Sequence, residues 1–213
     1  MNYPKKIDIA LEKIKETTST NDYLAQLCKE SKAKEFYTVM ADSQTHGKGQ
    51  RGNTWEAESG KNLLCSIVLY PTVLEAKKQF CLSMLAALAC HEALGNYTDG
   101  FTIKWPNDIY WQNKKIGGIL IENELEGKYI MQSIIGIGLN VNQEVFHSDA
   151  PNPVSLKQII GAEVNVQELM MKVVHGIIGG YRQLEVEPDG HLILKDEQGT
   201  LRRYAFKEVS FVL

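Results

Sequence analysis

The residues best able to do chemistry fall in four short segments rich in glycine, lysine and asparagine. The first reads Gln44-Thr45-His46-Gly47-Lys48-Gly49-Gln50-Arg51-Gly52-Asn53-Thr54-Trp55. Its glycines let the backbone come close to a ligand. Lys48 and Arg51 add positive charge between them, so the segment can wrap a phosphate with N–H groups and cations. It is not a Walker A loop, because G-x-x-x-x-G-K-[ST] is absent. A G-x-G-x-x-G is present, but it runs through Asn53 and Thr54 to Trp55 and not into an apolar helix. Taken alone, the same glycines would equally suit a mobile surface loop, and His46 within it reads as incidental.

The second segment is Lys104-Trp105-Pro106-Asn107-Asp108. Pro106 biases Trp105 toward extended backbone and ends strand pairing there, which leaves Asn107 and Asp108 at a strand end. Asp108 can hold Mg²⁺ or orient a lysine, Lys104 can meet a phosphate, and a capped β-turn is the alternative. The third segment, 114–122, opens an apolar strand with Lys114 and Lys115 and follows with Gly117-Gly118. Those glycines imply close approach of something to the backbone. At about 4 Å from an anion, a lysine at the rim of a dry site is worth about 4 kcal/mol at an effective dielectric near 20. A solvated hairpin lysine is the plainer alternative. The fourth, Gly136-Ile137-Gly138-Leu139-Asn140-Val141-Asn142, reads as a strand interrupted by glycines, with Asn140 able to read an adenine edge or a ribose; a bulge or strand end would look the same.

These segments need elements to position them. Residues 7–14 alternate as a strand. Residues 20–32 read as a helix with Ser19, Thr20 or Asn21 at its N-cap. Short apolar strands follow at 36–41 and 63–70, the second closed by Pro71. Apolar residues recur at helical spacing over 75–94, and Gly95 is the stop. Strands are expected around Ile103, at 109–111, 116–124 and 129–139, with a hairpin turn at Glu126-Gly127. A second long helix spans 166–184, a turn falls at Pro188-Asp189-Gly190, and strands at 191–195, 201–206 and 209–212 end the chain. Strand runs mixed with a few helices, without regular βαβ alternation, define an α+β protein: a mixed β-sheet packed against helices.

The bulk numbers narrow the class. The chain has 213 residues with 44% hydrophobic and 23% charged, ordinary for a globular domain with a sizeable core. A formal net charge of -3 and no long basic stripe give no footprint for nucleic acid. Cys28, Cys65, Cys81 and Cys90 form no C-x-x-C pair, so they read as reduced core thiols. No signal peptide and no apolar run long enough to span a membrane is present, and a cytoplasmic location is the default.

Together the segments resemble the catalytic domain of biotin–protein ligases, also called biotin–[acetyl-CoA-carboxylase] ligases. That family's order is Ser-Thr-Asn, Gln-Thr with a GRGRRGRxW-like loop, KWPND, a lysine before a Gly-Ile-Leu strand, and G-x-G-x-N. Here the same order reads Ser19-Thr20-Asn21, 44–55, 104–108, 115–120 and 136–140. The resemblance implies a class II aminoacyl-tRNA synthetase-like catalytic fold over residues 1–184 and a small SH3-like C-terminal β unit over 185–213. It implies an ATP-dependent ligase that makes biotinyl-5'-AMP with Mg²⁺. The ligase then passes biotin to a lysine of a biotin carboxyl carrier protein or domain, of acetyl-CoA carboxylase or a related carboxylase.

It also implies roles. Ser19, Thr20, Asn21 and Gln44, with Lys48, Gly49 and Gln50, would hold biotin. Lys115 would stand at the reacting carboxylate and α-phosphate, with Arg51 as the second catalytic residue. Lys48, Arg51, Trp55, Lys104, Asn107 and Asn140 would bind ATP, and Asp108 the metal. The family's repressor members carry an N-terminal winged helix-turn-helix, for which this chain leaves no room. A monofunctional ligase that binds neither DNA nor membrane, as monomer or homodimer, is therefore expected. Two departures stand out: Gln50 replaces the loop's usual fourth-position arginine, and the link from Leu184 to Pro188 is short, which leaves the C-terminal unit incomplete. The lipoate ligases share the fold, but their arginine pair and triple-glycine loop are absent.

Overall fold

The computed structural model describes residues 9–147, 152–183, 192–195 and 201–204. The first strand, β1 (Leu11–Thr17), runs through helix α1 (Thr20–Lys29) into β2 (Thr38–Gln44), and β1 and β2 pair in parallel. A parallel pair needs a crossover, and α1 supplies it. Next come β3 (Leu63–Leu69), α2 (Phe80–Gly95), β4 (Phe101–Lys104), β5 (Asp108–Trp111), β6 (Lys114–Glu126) and β7 (Tyr129–Leu139). Two further helices, α3 (Leu156–Ile160) and α4 (Val166–Gln183), precede the hairpin of β8 (Leu192–Lys195) and β9 (Leu201–Tyr204).

Seven strands form one sheet in the order β1-β2-β3-β7-β6-β5-β4, antiparallel apart from the first pair. Every residue of β3 is buried, which marks it as a central strand. Its side chains alternate between the two faces. Leu63, Cys65, Ile67 and Leu69 join the large core that α2 and α4 build on one face. Val68 joins Leu24 of α1, Val39 and Ile134 in a smaller core on the other. The α1 core covers only part of its face, and the uncovered part becomes the site. Helix α2 is apolar nearly all round because it lies between the sheet and α4. Among the described residues no helix is long and apolar enough to cross a membrane, and all four cysteines are unpaired.

Several boundaries differ from the sequence expectation for local reasons. The first strand begins at Leu11, and residues 7 and 8 lie outside the described ones. The second starts at Thr38 because Phe36 takes a left-handed φ of 67°, which a strand cannot hold. Helix α2 starts at Phe80 because the residues before it are tied elsewhere: the Ala76 N–H donates to the Lys128 carbonyl at the β6–β7 hairpin, and 76–78 form a separate 3₁₀ turn. The short helix α3 was not expected, although Ser155 with Gln158 forms a capping box and Gly161 ends it at φ 74°. The turn expected at 188–190 and the strand at 209–212 lie outside the described residues.

Candidate active site

A cavity of about 290 Å³ opens on the α1 face of the sheet. Its floor is a chain of buried polar groups. Thr20 and Asn21 begin α1 and are 4% and 3% exposed; Ser66 of β3 is fully buried. Gln44 ends β2, and its Oε1 accepts the Thr20 N–H at 2.7 Å. Ser19 does occupy the N-cap position, but its hydroxyl makes no cap bond; the side chain that satisfies the helix N-terminus comes from the neighbouring strand instead. Thr20 Oγ1 stands 3.0 Å from Gln44 Oε1 and 2.7 Å from Ser66 Oγ. Ser66 Oγ in turn lies 2.6 Å from Asn21 Oδ1, and Asn21 Nδ2 donates to Glu122 Oε2 at 2.7 Å.

The roof over this floor needs two glycines. Gly136 and Gly138 sit inside β7, paired on both sides, so they do not interrupt the strand as its sequence suggested. They make room. A Cβ at Gly136 would collide with the Asn21 amide, and one at Gly138 would come within 2.6 Å of Trp55 Cε2. The Trp55 indole therefore lies flat against the sheet, and its Nε1 is buried with no partner among the described residues, a donor left for whatever enters.

Lys115 reaches the cavity through an irregularity. Ile109 pairs with Gly117 but Tyr110 pairs with Lys115, so Ile116 is an extra residue, a β-bulge. Regular alternation would put Lys115 on the same face as Gly117, against the helices. The bulge sends Ile116 into the helix-side core and turns Lys115 toward the cavity. There Lys115 Nζ pairs with Asp108 Oδ1 at 2.8 Å and lies 5.9 Å from the Trp55 ring centroid. The Lys115 backbone is clamped by residues 152–154: its N–H donates to the Asn152 carbonyl, and its carbonyl accepts from Val154.

The rim is the glycine segment, and it is folded. Lys48 bridges Thr54, the Trp55 N–H donates to the Gly47 carbonyl, and the Gly49 N–H donates to Asn53. The tip is a 3₁₀ turn in which Arg51 takes φ 56°, ψ 34°, followed by Gly52 at φ 81°. A non-glycine residue in this region is disfavoured by about 1 kcal/mol or more. Lys48 pairs with Asp22, whose carboxylate holds the Lys48 ammonium above its usual range.

The structure gathers the expected residues 19–21, 44, 48–51, 55, 107, 108 and 115 around this one cavity. It leaves out two. Asn140 was expected at the nucleotide, but it is buried: its Nδ2 donates to the Val154 carbonyl at 3.2 Å and its own carbonyl accepts from Leu156. Its amide is committed to holding the segment that clamps Lys115. Lys104 was expected at a phosphate; on edge strand β4 it is exposed, with Nζ 5.0 Å from the Tyr110 ring centroid. Asp108 is engaged with Lys115, and among the described residues no group of three acidic, histidine or cysteine side chains could hold a metal. Ser66, Glu122 and Asp22 were missed. A serine within Leu63-Leu64-Cys65-Ser66-Ile67-Val68-Leu69 and a carboxylate closing Gly117-Gly118-Ile119-Leu120-Ile121-Glu122 were the visible signals.

Comparison with known proteins gives the family. Residues 14–140 match the sequence model of the Biotin/lipoate A/B protein ligase family, and the chain belongs to that family. It is 38% identical over 143 residues to the bifunctional ligase/repressor BirA of Bacillus subtilis, an alignment covering 62% of this chain and 42% of that protein. It is 33% identical over 141 residues to the biotin–[acetyl-CoA-carboxylase] ligase of Paracoccus denitrificans, covering 62% of this chain and 57% of that one. The chain thus spans about half the length of these curated relatives. The structure of the Aquifex aeolicus biotin protein ligase with biotin and ATP superposes with a TM-score of 0.70 at 26% identity, covering 94% of this chain and 97% of that one. The fold is that of the biotin protein ligase catalytic domain.

Proposed function

We propose that this chain activates biotin with ATP as biotinyl-5'-AMP, releasing pyrophosphate, and transfers the biotinyl group to a lysine of a biotin carboxyl carrier protein or domain. One observation carries the reading: a polar buried floor and a cationic wall meet in a single cavity, with Lys115 turned into it by a bulge. Biotin is itself divided this way, into a neutral ureido head and an anionic tail. Relatives that are biotin ligases, and a neighbouring structure with biotin and ATP, support it.

Joining a carboxylate to an amine is uphill in water, so the carboxylate is first made a mixed anhydride. The chain's task is positioning and charge stabilisation. The floor of Thr20, Asn21 and Gln44, with Ser19 beside it, takes the ureido head. Lys115, aimed by Asp108, offsets the repulsion between the carboxylate and the α-phosphate as they meet. Lys48 and Arg51 close the rim over the adenylate, Trp55 and Asn107 border the adenine, and Gly49 and Gln50 shape the wall. Mg²⁺ would arrive with the triphosphate and supply charge neutralisation there, and Asp108 is the cavity carboxylate that would help to hold it. The acceptor lysine then attacks the anhydride and AMP leaves.

The same reading assigns residues 185–213 to a small SH3-like β unit, of which β8 and β9 are the described strands, and a cytoplasmic setting suits the four unpaired thiols. A lipoate ligase is the competing activity within the family. A dithiolane offers no hydrogen bonds to the floor, and a site with buried polar groups rejects a ligand that leaves them unpaired by several orders of magnitude. ATP–pyrophosphate exchange by the purified chain, with biotin and lipoate in parallel, tests this. Exchange with biotin alone is expected; exchange with lipoate alone, or with neither, overturns it.

A further inference from the structure

The cavity floor has a proton count that does not close. Three short gaps join Asn21 Oδ1 to Ser66 (2.6 Å), Ser66 to Thr20 (2.7 Å) and Thr20 to Gln44 Oε1 (3.0 Å). Only two hydroxyl protons, those of Ser66 and Thr20, can fill them. The ends are fixed. Gln44 Oε1 faces Thr20 because it accepts the Thr20 N–H, so that amide cannot turn its NH₂ inward. Asn21 turns its NH₂ the other way, toward the Glu122 carboxylate at 2.7 Å and the Leu120 carbonyl at 3.4 Å. A carboxylate accepts and an amide oxygen only accepts, so Asn21 Oδ1 must take the Ser66 proton. The Thr20 proton can then fill only one of the two remaining gaps, and the shorter one claims it, because facing lone pairs repel most at 2.7 Å. Ser66 accepts from Thr20, and the widest gap is left with none. Thr20 Oγ1 and Gln44 Oε1 stand 3.0 Å apart as two facing acceptors in the cavity wall.

We propose that Glu122 is a positioning residue that sets the hydrogen-bond polarity of the cavity. Acting through Asn21 and Ser66, it makes Thr20 and Gln44 a paired acceptor for a substrate N–H. This rests on the reading that the cavity takes biotin, whose ureido ring carries two such N–H groups. Without an acceptor at position 122, only the Leu120 carbonyl at 3.4 Å is left to hold the Asn21 NH₂, a weaker bond than the hydrogen bond Ser66 gains when the amide turns over. Ser66 then gives its proton to Thr20, Thr20 gives its own to Gln44, and the acceptor pair closes on itself. Glu122 also faces Lys48 electrostatically, so the test separates hydrogen bonding from charge.

The variants are Glu122→Leu, which removes the acceptor, and Glu122→Gln, which keeps an acceptor oxygen without the charge. Ser66→Ala breaks the relay at its middle with Glu122 intact. Each is measured for binding of biotin and of two biotin analogues in which one or the other ureido N–H is replaced by a ring oxygen. KM and kcat for exchange are measured alongside. The unaltered chain is expected to prefer biotin to at least one analogue by about tenfold, the size of one hydrogen bond to a preorganised acceptor. Glu122→Leu and Ser66→Ala should each raise the biotin Kd and KM about tenfold, leave kcat within about threefold and lose the preference among analogues. Glu122→Gln should stay within about threefold of the unaltered chain. The proposal is overturned if Glu122→Leu keeps the preference, if Glu122→Gln loses it as fully as Glu122→Leu does, or, should Glu122→Leu not fold, if Ser66→Ala keeps it. Tight biotin binding with no effect of any substitution sinks this inference alone. Failure of the unaltered chain to bind biotin removes the parent reading and this one with it.

Discussion

The floor and the rim of the cavity are built on opposite principles. The floor groups Thr20, Asn21 and Ser66 are at most 4% exposed, and neighbours on α1, β2, β3 and β6 fix each of them. Polar groups in such a place have one arrangement, because a buried donor or acceptor left unpaired costs about 1–3 kcal/mol. The rim groups are exposed, and the side chain of Lys48 keeps 42% of its surface. Its pair with Asp22 contributes little to stability, as exposed pairs do, so it exchanges readily for a substrate anion. On the proposed reading, the neutral head would meet buried groups already bonded to their neighbours, and the charged tail would meet exposed ones.

The sharpest way to break this contrast is Lys115→Ala. Loss of one such group typically costs about 3–4 kcal/mol of barrier, so formation of biotinyl-AMP should fall by about 10²–10³-fold. Circular dichroism should be unaltered and biotin binding kept within about tenfold. Near-normal adenylate synthesis would take Lys115 out of the chemistry. Thr20→Val should do the reverse, raising the biotin Kd about tenfold while saturating biotin restores most of kcat; a collapse of kcat with unaltered Kd would mean that the floor acts in the chemistry too. A smaller effect is expected at the rim. Gln50→Arg should slow release of biotinyl-AMP by about fivefold, near 1 kcal/mol for a partly exposed charge pair, seen by trapping the intermediate in solution; an unchanged rate would show that Arg51 or the backbone already holds the loop. The least perturbing probe is thiol labelling at pH 8. Burial pushes Cys65 up to about 12 and raises Cys90 as well, so these two should react only after unfolding, while partly exposed Cys28 and Cys81 react first. Early labelling of Cys65 would show that the sheet's helix side opens as easily as its rim.

Much of this could be read from residue order. The glycine segment, Lys115, Asn107 and the Ser19–Asn21 helix start carry their signals locally, and the structure brings them together. What the sequence hid depends on direction. Lys104 and Asn140 lie in the right segments, but strand geometry turns one to solvent and commits the other to Val154. The Glu122 relay joins three strands and a helix across residues far apart in the chain, and no local pattern announces it. The bulge at Ile116 was equally silent, since Lys114-Lys115-Ile116-Gly117-Gly118 reads as ordinary alternation. The capping box is legible in Ser155-Leu156-Lys157-Gln158, but the helix it opens is only five residues long and shows no apolar period.

That bulge lets one face of a strand hold two consecutive residues. Side chains on a regular strand alternate with a period of two, yet Ile116 and Gly117 both lie toward the helix-side core, where Gly117 meets Leu139, while Lys115 keeps the cavity face opposite Tyr110. Without the extra residue Lys115 would stand next to Gly117 in a regular ladder and still face the cavity, but the core would lose the fully buried Ile116. Straightening the strand at constant length would instead carry the ammonium among Ile109 and Leu139. The bulge thus uncouples the two faces, so that core packing and the charge in the site are set by neighbouring residues without competing for one position.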